Sequence, residues 1–199
     1  MLPDCDLPRV IGLAGFKRSG KDTVGRMLCE VLGYSAMAFA DPVRDEVFER
    51  FHVARMPDHL KDVPMRHLGG RSYRDLLIEV GQGRRAENPD HWVSKAREKI
   101  AARLASGQRV VLTDIRMPNE VRLIHVHGGI AAWISRRGVE SNGHVTEQDH
   151  RHLCDLVIEN DGTKEDLLRR VVDGIKRASL GCSGKSNHIK KEGAECTCC

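Results

Sequence analysis

Residues 15–23 read GFKRSGKDT and lie between an apolar run and an amphipathic segment. Gly15 and Gly20 allow the backbone to turn tightly, so that successive N–H groups point at one anion. A helix that begins directly after Gly20 adds the positive end of its dipole. Lys21 can reach the outer phosphates of a nucleotide as a point charge. The pattern predicts a phosphate-binding loop, and the alternative is a glycine-rich turn with a solvated lysine.

Asp22 occupies the position where most loops of this kind carry Ser or Thr, whose hydroxyl binds Mg²⁺. A carboxylate is also a hard oxygen ligand, so Asp22 can hold the ion directly or through water, and Thr23 is a second candidate. Asp114 ends the apolar run QRVVLTDIR and is the other predicted metal ligand. The alternative role for Asp114 is a helix cap.

The elements that position these residues alternate along the chain. Short apolar runs predict strands at 9–15, 35–40, 108–116, 128–135 and 154–161. Amphipathic segments predict helices at 20–32, 41–51, 72–81, 88–107, 118–127 and 162–179. This alternation predicts an α/β fold with a parallel sheet of about five strands flanked by helices. Its ligand site is expected at the carboxyl ends of the strands.

Composition limits the classes of partner. The chain has 199 residues, 40% of them hydrophobic and 30% charged, with a net charge of +4. That charge is too small to predict a nucleic acid polymer or a membrane as a partner. The N-terminus does not resemble a signal peptide, so a cytoplasmic protein with free thiols is expected. We predict one domain over 1–179 and a disordered tail over 180–199, where cysteines and a histidine gather without metal-site spacing.

The loop GFKRSGKDT resembles that of the bacteriophage-type deoxynucleoside monophosphate kinases, in which Asp-Thr follows the lysine. The similarity extends in order through FADPVRDE, YRDLLIEVGQGRRAENPDHWV, VVLTDIRMPNE and DLVIENDGTKEDLL, over most of residues 9–179. It implies a P-loop kinase fold with a helical substrate-binding region at about 41–92 and a lid at about 136–152. It also implies a magnesium-dependent enzyme that moves the γ-phosphoryl group of ATP to a deoxynucleoside monophosphate (dNMP), in the host cytoplasm if the gene belongs to a phage.

Phosphoryl transfer requires positioning of two anions and neutralisation of the charge that spreads over the moving group. The residues predicted to bind ATP are Gly15, Arg18, Ser19, Gly20, Lys21, Asp22, Thr23 and, beside the adenine, Asn160. The predicted catalytic cations are Lys17, Lys21, Arg116, Arg136 and Arg137. Arg136 and Arg137 begin the lid, where one of them can act as an arginine finger; the alternative is a solvated loop. Residues 143–148, GHVTEQ, resemble the family's His-x-(Ser/Thr)-Glu element.

The residues predicted to bind the acceptor are Arg44, Arg74, Gln82, Arg85, Trp92 and Arg116. The resemblance assigns Arg44 and Arg74 to the acceptor phosphate, onto which Arg116 can also fork. Trp92 is predicted to stack on the base, and the alternative is an ordinary core aromatic. The family often carries Thr at position 82 and Gln at position 78, where this chain has Gln82 and Ile78, so the contacts that select the base stay open.

Two rival functions use the same loop. The animal-type phosphomevalonate kinases also resemble this chain, in the Gly-Lys-Asp loop, the Asp-x-Arg strand end and the VIEN block. Trp92 favours a nucleotide over such an acceptor. An acceptor-independent ATPase switch would not need the acceptor-side arginines, which count against it. A homodimer is compatible with the sequence.

Overall fold

A computed structural model of the chain describes residues 7–141, 143 and 148–182. Five strands form one sheet in the order β2-β3-β1-β4-β5, and every pair is parallel. The strands are β1 Val10–Ala14, β2 Tyr34–Met37, β3 Arg109–Ile115, β4 Ile130–Ser135 and β5 Leu156–Glu159. The predicted α/β class and the number of strands are confirmed.

Helices cover both faces of this sheet. They are α1 Lys21–Leu32, α2 Asp41–Phe51, α3 Tyr73–Glu87, α4 His91–Ala105, α5 Pro118–Val126 and α6 Lys164–Cys182. Strand β1 alternates between the two cores: Val10 and Ala14 face α4 and α5, whereas Ile11 and Leu13 face α1 and α6. This alternation follows from the two-residue repeat of a strand, and it gives the sheet two buried faces.

A third core lies in the region that the sequence assigns to substrate binding. It joins α2, α3 and the start of α4 through apolar side chains that include Val43, Val47, Leu76, Val80 and Trp92. Short 3-10 helices at Asp58–Leu60 and Arg66–Leu68 lie within the connection between α2 and α3. The acceptor-side helices therefore have a hydrophobic core of their own beside the sheet.

Several element boundaries differ from the prediction. Helix α3 does not end at Gly81 but continues to Glu87, and the chain leaves it in an extended conformation at Asn88. The proline at position 89 explains this end, because a residue before proline avoids the helical conformation. Strand β2 ends at Met37 rather than at 40, since the next residues turn into α2. Helix α6 continues to Cys182, beyond the predicted domain end at 179.

Other sequence predictions are tested only in the described ranges. No helix there is long and apolar enough to cross a membrane. Cys29 and Cys154 are free thiols, as expected. Residues 183–199, which form most of the predicted tail, lie outside the described part of the chain.

An ion pair joins α5 to the start of β5, at the end of the sheet opposite the loop. His125 of α5 lies with Nε2 2.9 Å from Asp155 Oδ2, and the same oxygen accepts a hydrogen bond of 2.7 Å from Ala131 N. The hydrogen bond to Asp155 raises the pKa of His125 above its ordinary value of 6.5, against the opposing effect of burial. Burial would raise the pKa of the Asp155 carboxyl, but the hydrogen bond to His125 outweighs it together with the other donors, so that this pKa is lowered.

We therefore predict a pH-dependent contribution of His125 to stability. A histidine whose pKa is raised on folding stabilises the fold fully below its unfolded pKa, and this stabilisation is lost as the pH rises through the folded pKa. The substitution His125→Gln should lower the free energy of unfolding by up to about 1 kcal/mol at pH about 5.5, since the pair is partly exposed, and by less at pH about 8.5.

Urea unfolding at the two pH values measures this difference. His67→Gln, at an exposed histidine in the connection between α2 and α3, is the control and should give the same difference from the wild type at both pH values. A destabilisation by His125→Gln that is equal or larger at the higher pH would contradict the role of the charged pair.

Candidate active site

The candidate site lies where the carboxyl ends of the parallel strands meet. Residues 15–20 follow β1, and Asp114 lies near the end of β3. Arg136 and Arg137 follow β4, and Asn160 follows β5. Residues that are far apart in the sequence are therefore brought to one edge of the sheet, as the rule for parallel sheets predicts.

The loop after β1 has the curled backbone that phosphate binding requires. Gly15, Arg18 and Gly20 have φ values of 139°, 68° and 107°. A Cβ atom at Gly15 would lie 2.4 Å from Ile134 O, so the close approach of β4 leaves space only for glycine. Ser19 N donates to Phe16 O at 3.2 Å and closes the turn. Strand, loop and helix thus follow each other as the sequence predicts.

Lys21 is the first residue of α1 and folds back over the loop. Its Nζ donates to Gly15 O at 2.6 Å and to Phe16 O at 2.7 Å. The ammonium group therefore lies beside the loop backbone, at the helix N-terminus where a phosphate would bind. Ser19 is buried, and its Oγ has no hydrogen-bond partner among the described residues. Lys17 and Arg18 are exposed on the outside of the same loop.

Asn160 connects the end of β5 to this loop. Its Nδ2 donates to Ser19 O at 2.8 Å, and its backbone N donates to Ser135 O at 2.7 Å. A pocket of about 240 Å³ beside it is lined by Arg136, Arg137, Asn160, Asp161 and Gly162. Asp161 Oδ1 accepts a hydrogen bond of 2.6 Å from Arg137 N. The structure thus brings together the predicted adenine contact and the two arginines that begin the predicted lid.

Asp114 holds the turn that leads into α2. Its Oδ1 accepts from Phe39 N at 2.7 Å and its Oδ2 from Ala40 N at 3.0 Å. Burial raises the pKa of this carboxyl, and the two backbone donors oppose the rise. The helix cap considered for Asp114 is not formed, because its carboxylate binds the N–H groups of the turn before α2, and the N-cap of α5 is Met117. An ionised carboxylate has about four acceptor positions, so these two bonds leave room for water between Asp114 and a metal ion.

The other oxygen ligands suit a metal that is shared with phosphate. Asp22 is exposed in the first turn of α1, and Thr23 follows it. In the described ranges no three His, Cys, Asp or Glu side chains gather into a metal-binding group. Mg²⁺ usually keeps several waters and takes one or two carboxylates together with substrate phosphates, so it does not need such a group. The donor set fits Mg²⁺ in this manner.

The predicted acceptor residues fall into two groups. Burial raises the pKa values of Asp114 and Glu120; the charges of Arg44 and Arg116 oppose the rise at Asp114, and that of Arg85 opposes it at Glu120. Arg74 lies elsewhere: its guanidinium pairs with Asp62, with Nε at 2.5 Å from Oδ1 and Nη2 at 3.2 Å from Oδ2. Gln82 is exposed on α3.

Lys17 lies near the second group. Its charge contributes to the lowered pKa values of both Asp58 and Asp62, after the larger effects of hydrogen bonds from Lys61 and Arg74 respectively. Lys17 and Arg74 therefore lie near the same two carboxylates. The predicted acceptor arginines surround the site but do not form a single cluster.

Trp92 does not occupy the predicted position. Its side chain is only 1% exposed and belongs to the core between α2, α3 and α4. Its indole Nε1 donates to Gly81 O at 3.0 Å, which satisfies the only polar atom of the ring. The predicted base-stacking platform is wrong, because a side chain buried on both ring faces cannot receive a ligand. Trp133 is also buried, as predicted.

Two buried polar residues of the site were missed from the sequence. Glu120 is 2% exposed and accepts hydrogen bonds from Arg116 N at 2.7 Å and Met117 N at 3.1 Å. His150 is 5% exposed, and its Nε2 lies 2.9 Å from Arg116 O. The capping spacing of a Glu shortly after Pro118 is a signal for Glu120. No sequence signal marks His150, which lies in the polar segment assigned to the lid.

Burial is the main reason why the pKa of Glu120 rises to about 7, and the charge of Asp114 adds to the rise. The donors at Arg116 N and Met117 N and the charge of Arg85 oppose it. The predicted GHVTEQ element cannot be compared in the same way, because residues 144–147 lie outside the described part of the chain.

Known proteins share the loop and the fold. Residues 9–82 match the family model described as "Deoxynucleotide monophosphate kinase". The predicted family resemblance is confirmed over this part of the chain. A protein of Acanthamoeba polyphaga mimivirus named "Putative deoxynucleotide monophosphate kinase" is 27% identical over 188 residues, which cover 85% of this chain and 97% of the relative. The relative comes from a virus, as do the bacteriophage-type kinases that the sequence resembles.

Solved kinases have the same fold. A gluconokinase from Sinorhizobium meliloti 1021 aligns with a TM-score of 0.51 at 17% identity, covering 91% of this chain and 99% of its own. A dephospho-CoA kinase from Campylobacter jejuni aligns with a TM-score of 0.51 at 13% identity, covering 88% and 100% respectively. These likenesses confirm the predicted P-loop kinase fold. Together with the family match, they support an ATP-dependent phosphotransferase.

The contact between Gly20 and Asn160 gives a test of the loop. A Cβ atom at Gly20 would lie 2.2 Å from Asn160 Nδ2, and the φ of 107° is strained for any other residue. Gly20→Ala should therefore distort the loop and weaken ATP binding by at least about tenfold. Isothermal titration with a non-hydrolysable ATP analogue measures this change.

Gly83→Ala is the matched control, because the added methyl group meets nothing within 4 Å in α3. It should leave nucleotide binding unchanged and raise stability slightly, by up to about 1 kcal/mol. Equal nucleotide affinity in Gly20→Ala and the wild type would show that this loop does not bind the phosphates.

Proposed function

We propose that the protein transfers the γ-phosphoryl group of ATP to the phosphate of a dNMP, which gives the deoxynucleoside diphosphate and ADP. The observation that carries this proposal is the phosphate-binding loop at the carboxyl end of β1, with Arg116 after the neighbouring strand β3, in a chain whose residues 9–82 match the family model. The relative's name and the resemblance of the sequence motifs support the nucleotide acceptor.

The donor side is assigned to the loop and the turn after β5. Backbone N–H groups of residues 15–20 and the N-terminus of α1 receive the phosphates, and Lys21 moves from the loop carbonyls to the outer phosphates. Thr23 and Asp22 face the same end of α1. The pocket beside Asn160 takes the adenine, so that Arg136 or Arg137 lies at the entrance to the site.

The acceptor side is assigned to Arg44, Arg74, Arg85 and Arg116, with Gln82 at the exposed face of α3. An oxygen of the acceptor phosphate forms a bond to the γ-phosphorus, while the bond from that phosphorus to the oxygen bridging to the β-phosphate breaks. That oxygen carries the electron pair away as part of ADP. A phosphate oxygen is already anionic, so no side chain has to act as a strong base.

The main catalytic contribution of the protein in this proposal is the positive charge of its lysine and arginine side chains. Lys17, Lys21, Arg116 and one lid arginine neutralise charge on the oxygens around the moving group. Asp22 would hold Mg²⁺ directly or through water, with Thr23 and Asp114 as further oxygen donors. Mg²⁺ held there would offset part of the negative charge on the phosphate oxygens. The protein residues fix the angle at which the two phosphates meet.

The acceptor base is the open part of the proposal. Because Trp92 is buried, it no longer distinguishes a nucleotide from a phosphomevalonate-like acceptor, and the preference for a nucleotide rests on the family match and the relative. The acceptor-side arginines still count against an ATPase that acts without an acceptor. We also propose the cytoplasm as the location, of the host if the gene is viral, and a homodimer stays a prediction.

The first experiment measures ADP release from Mg-ATP with each dNMP, each ribose counterpart and phosphomevalonate offered separately. Stimulation by one or more dNMPs supports the proposal and shows which bases are accepted. Stimulation by phosphomevalonate alone would replace the acceptor, and equal ADP release with and without any acceptor would favour the ATPase.

Lys21→Ala tests the donor side. Loss of the ammonium group should lower kcat by at least about 100-fold, because this group lies beside the loop carbonyls, from where it can reach the outer phosphates. Circular dichroism and thermal unfolding should remain like those of the wild type, since the group is not part of a core. Lys99→Ala, which removes an exposed lysine paired with Asp45, is the control and should keep full activity. Turnover of Lys21→Ala at the control's level would refute the loop assignment.

Arg74→Ala tests the acceptor side. Loss of a charge-assisted hydrogen bond should raise the KM for the acceptor by about 10- to 100-fold and leave the KM for ATP unchanged. Arg169→Ala breaks a comparable exposed pair with Asp166 on α6 and serves as the control. An Arg74→Ala enzyme with a raised KM for ATP and an unchanged KM for the acceptor would place this arginine at the donor.

A further inference from the structure

The peptide group of Arg116 is held on both sides by buried side chains. Arg116 N donates to Glu120 Oε2 at 2.7 Å, and Arg116 O lies 2.9 Å from His150 Nε2. Since a carbonyl oxygen only accepts, His150 carries its proton on Nε2 in this contact. The two side chains come from α5 and from the segment that closes the predicted lid, so distant parts of the chain fix one backbone unit.

Glu120 also reaches a second arginine of the acceptor side. Its Oε1 lies 3.8 Å from Arg85 Nη2, while Oε2 binds the N–H groups of Arg116 and Met117. One carboxylate is therefore paired with the guanidinium of Arg85 and hydrogen-bonded to the backbone that carries Arg116. Arg85 belongs to α3 and Arg116 follows β3, so the carboxylate joins the helical region to the sheet.

Capping of α5 does not by itself explain this arrangement. A helix cap functions well at the surface, whereas Glu120 is 2% exposed, and burial of a carboxyl group costs free energy unless it is paired. Capping also does not involve His150, which bonds to the opposite side of the same peptide unit. What the two contacts share is Arg116, whose side chain is assigned to the acceptor phosphate.

We propose that Glu120 and His150 are positioning residues that hold Arg116, and Arg85 through Glu120, in the orientation that receives the acceptor phosphate. This inference rests on the proposed function. Fixing both arginines before the acceptor binds reduces the entropy that binding must overcome. Hydrogen bonds that do not depend on the ligand fix the backbone of Arg116. Its side chain therefore extends from a fixed Cα position before the acceptor binds.

Three variants test the inference by steady-state kinetics with the best acceptor from the first experiment. Glu120→Gln keeps an oxygen for the two N–H groups but removes the charge that orients Arg85. His150→Ala removes the donor to Arg116 O, and His150→Gln restores an N–H donor. We expect Glu120→Gln and His150→Ala each to raise the acceptor KM by about tenfold, with the ATP KM changed by less than about twofold, and His150→Gln to recover most of the loss.

A double-mutant cycle separates positioning from a general structural effect. If Glu120 acts through Arg85, then Glu120→Gln should change the acceptor KM by less in an Arg85→Ala background than in the wild type. Glu87→Gln, which breaks the neighbouring exposed pair with Arg84 on the same helix, is the matched control and should leave both KM values unchanged. Thermal unfolding checks that each variant is folded.

The outcomes are distinct. Unchanged acceptor KM values, an equal rise of both KM values, or additive effects of Glu120→Gln and Arg85→Ala would overturn the inference while wild-type turnover keeps the proposed function. A wild type that no acceptor stimulates would overturn the proposed function and this inference with it. If Glu120→Gln does not fold, the comparison of His150→Ala with His150→Gln decides the matter.

Discussion

Strand β1 is hydrogen-bonded to β3 on one side and to β4 on the other, and all five of its residues are buried. At Gly12 a Cβ atom would lie 2.2 Å from the end of Ile115, so the neighbouring helix layer and strand leave no space for a side chain. A strand enclosed in this way exposes none of its residues to solvent. Beyond the carboxyl end of β1 the chain leaves this core, and there the glycine-rich loop begins.

The two halves of the site are ordered by different means. On the donor side the loop backbone forms the site. Positive φ values at Gly15 and Gly20 give the loop its curvature, and Asn160 Nδ2 donates a hydrogen bond to Ser19 O. On the acceptor side buried carboxylates bind backbone N–H groups: Asp114 fixes the turn into α2, and Glu120 fixes the turn after β3. Arg116 thus lies in a turn whose backbone is hydrogen-bonded without any ligand, and Arg44 lies in the helix that follows another such turn.

Much of the fold could be predicted because the relevant patterns are local. Apolar runs of five or six residues predict the strands, and the parallel sheet follows from their alternation with helices. Helix ends were harder, since α3 passes through Gly81, whose carbonyl accepts from Trp92 and whose backbone packs in the third core. A glycine in the middle of a helix therefore does not mark the end of that helix.

The sequence alone determined the loop, its lysine and the edge of the sheet where it lies, because spacing and backbone freedom are properties of neighbouring residues. Only the tertiary structure decided that Trp92 is a core residue, that Arg74 pairs with Asp62, and that Glu120 and His150 meet at Arg116. These outcomes depend on which side chains fold against each other across long stretches of chain. A residue type gives the contacts that are possible, whereas burial and distance select the ones that form.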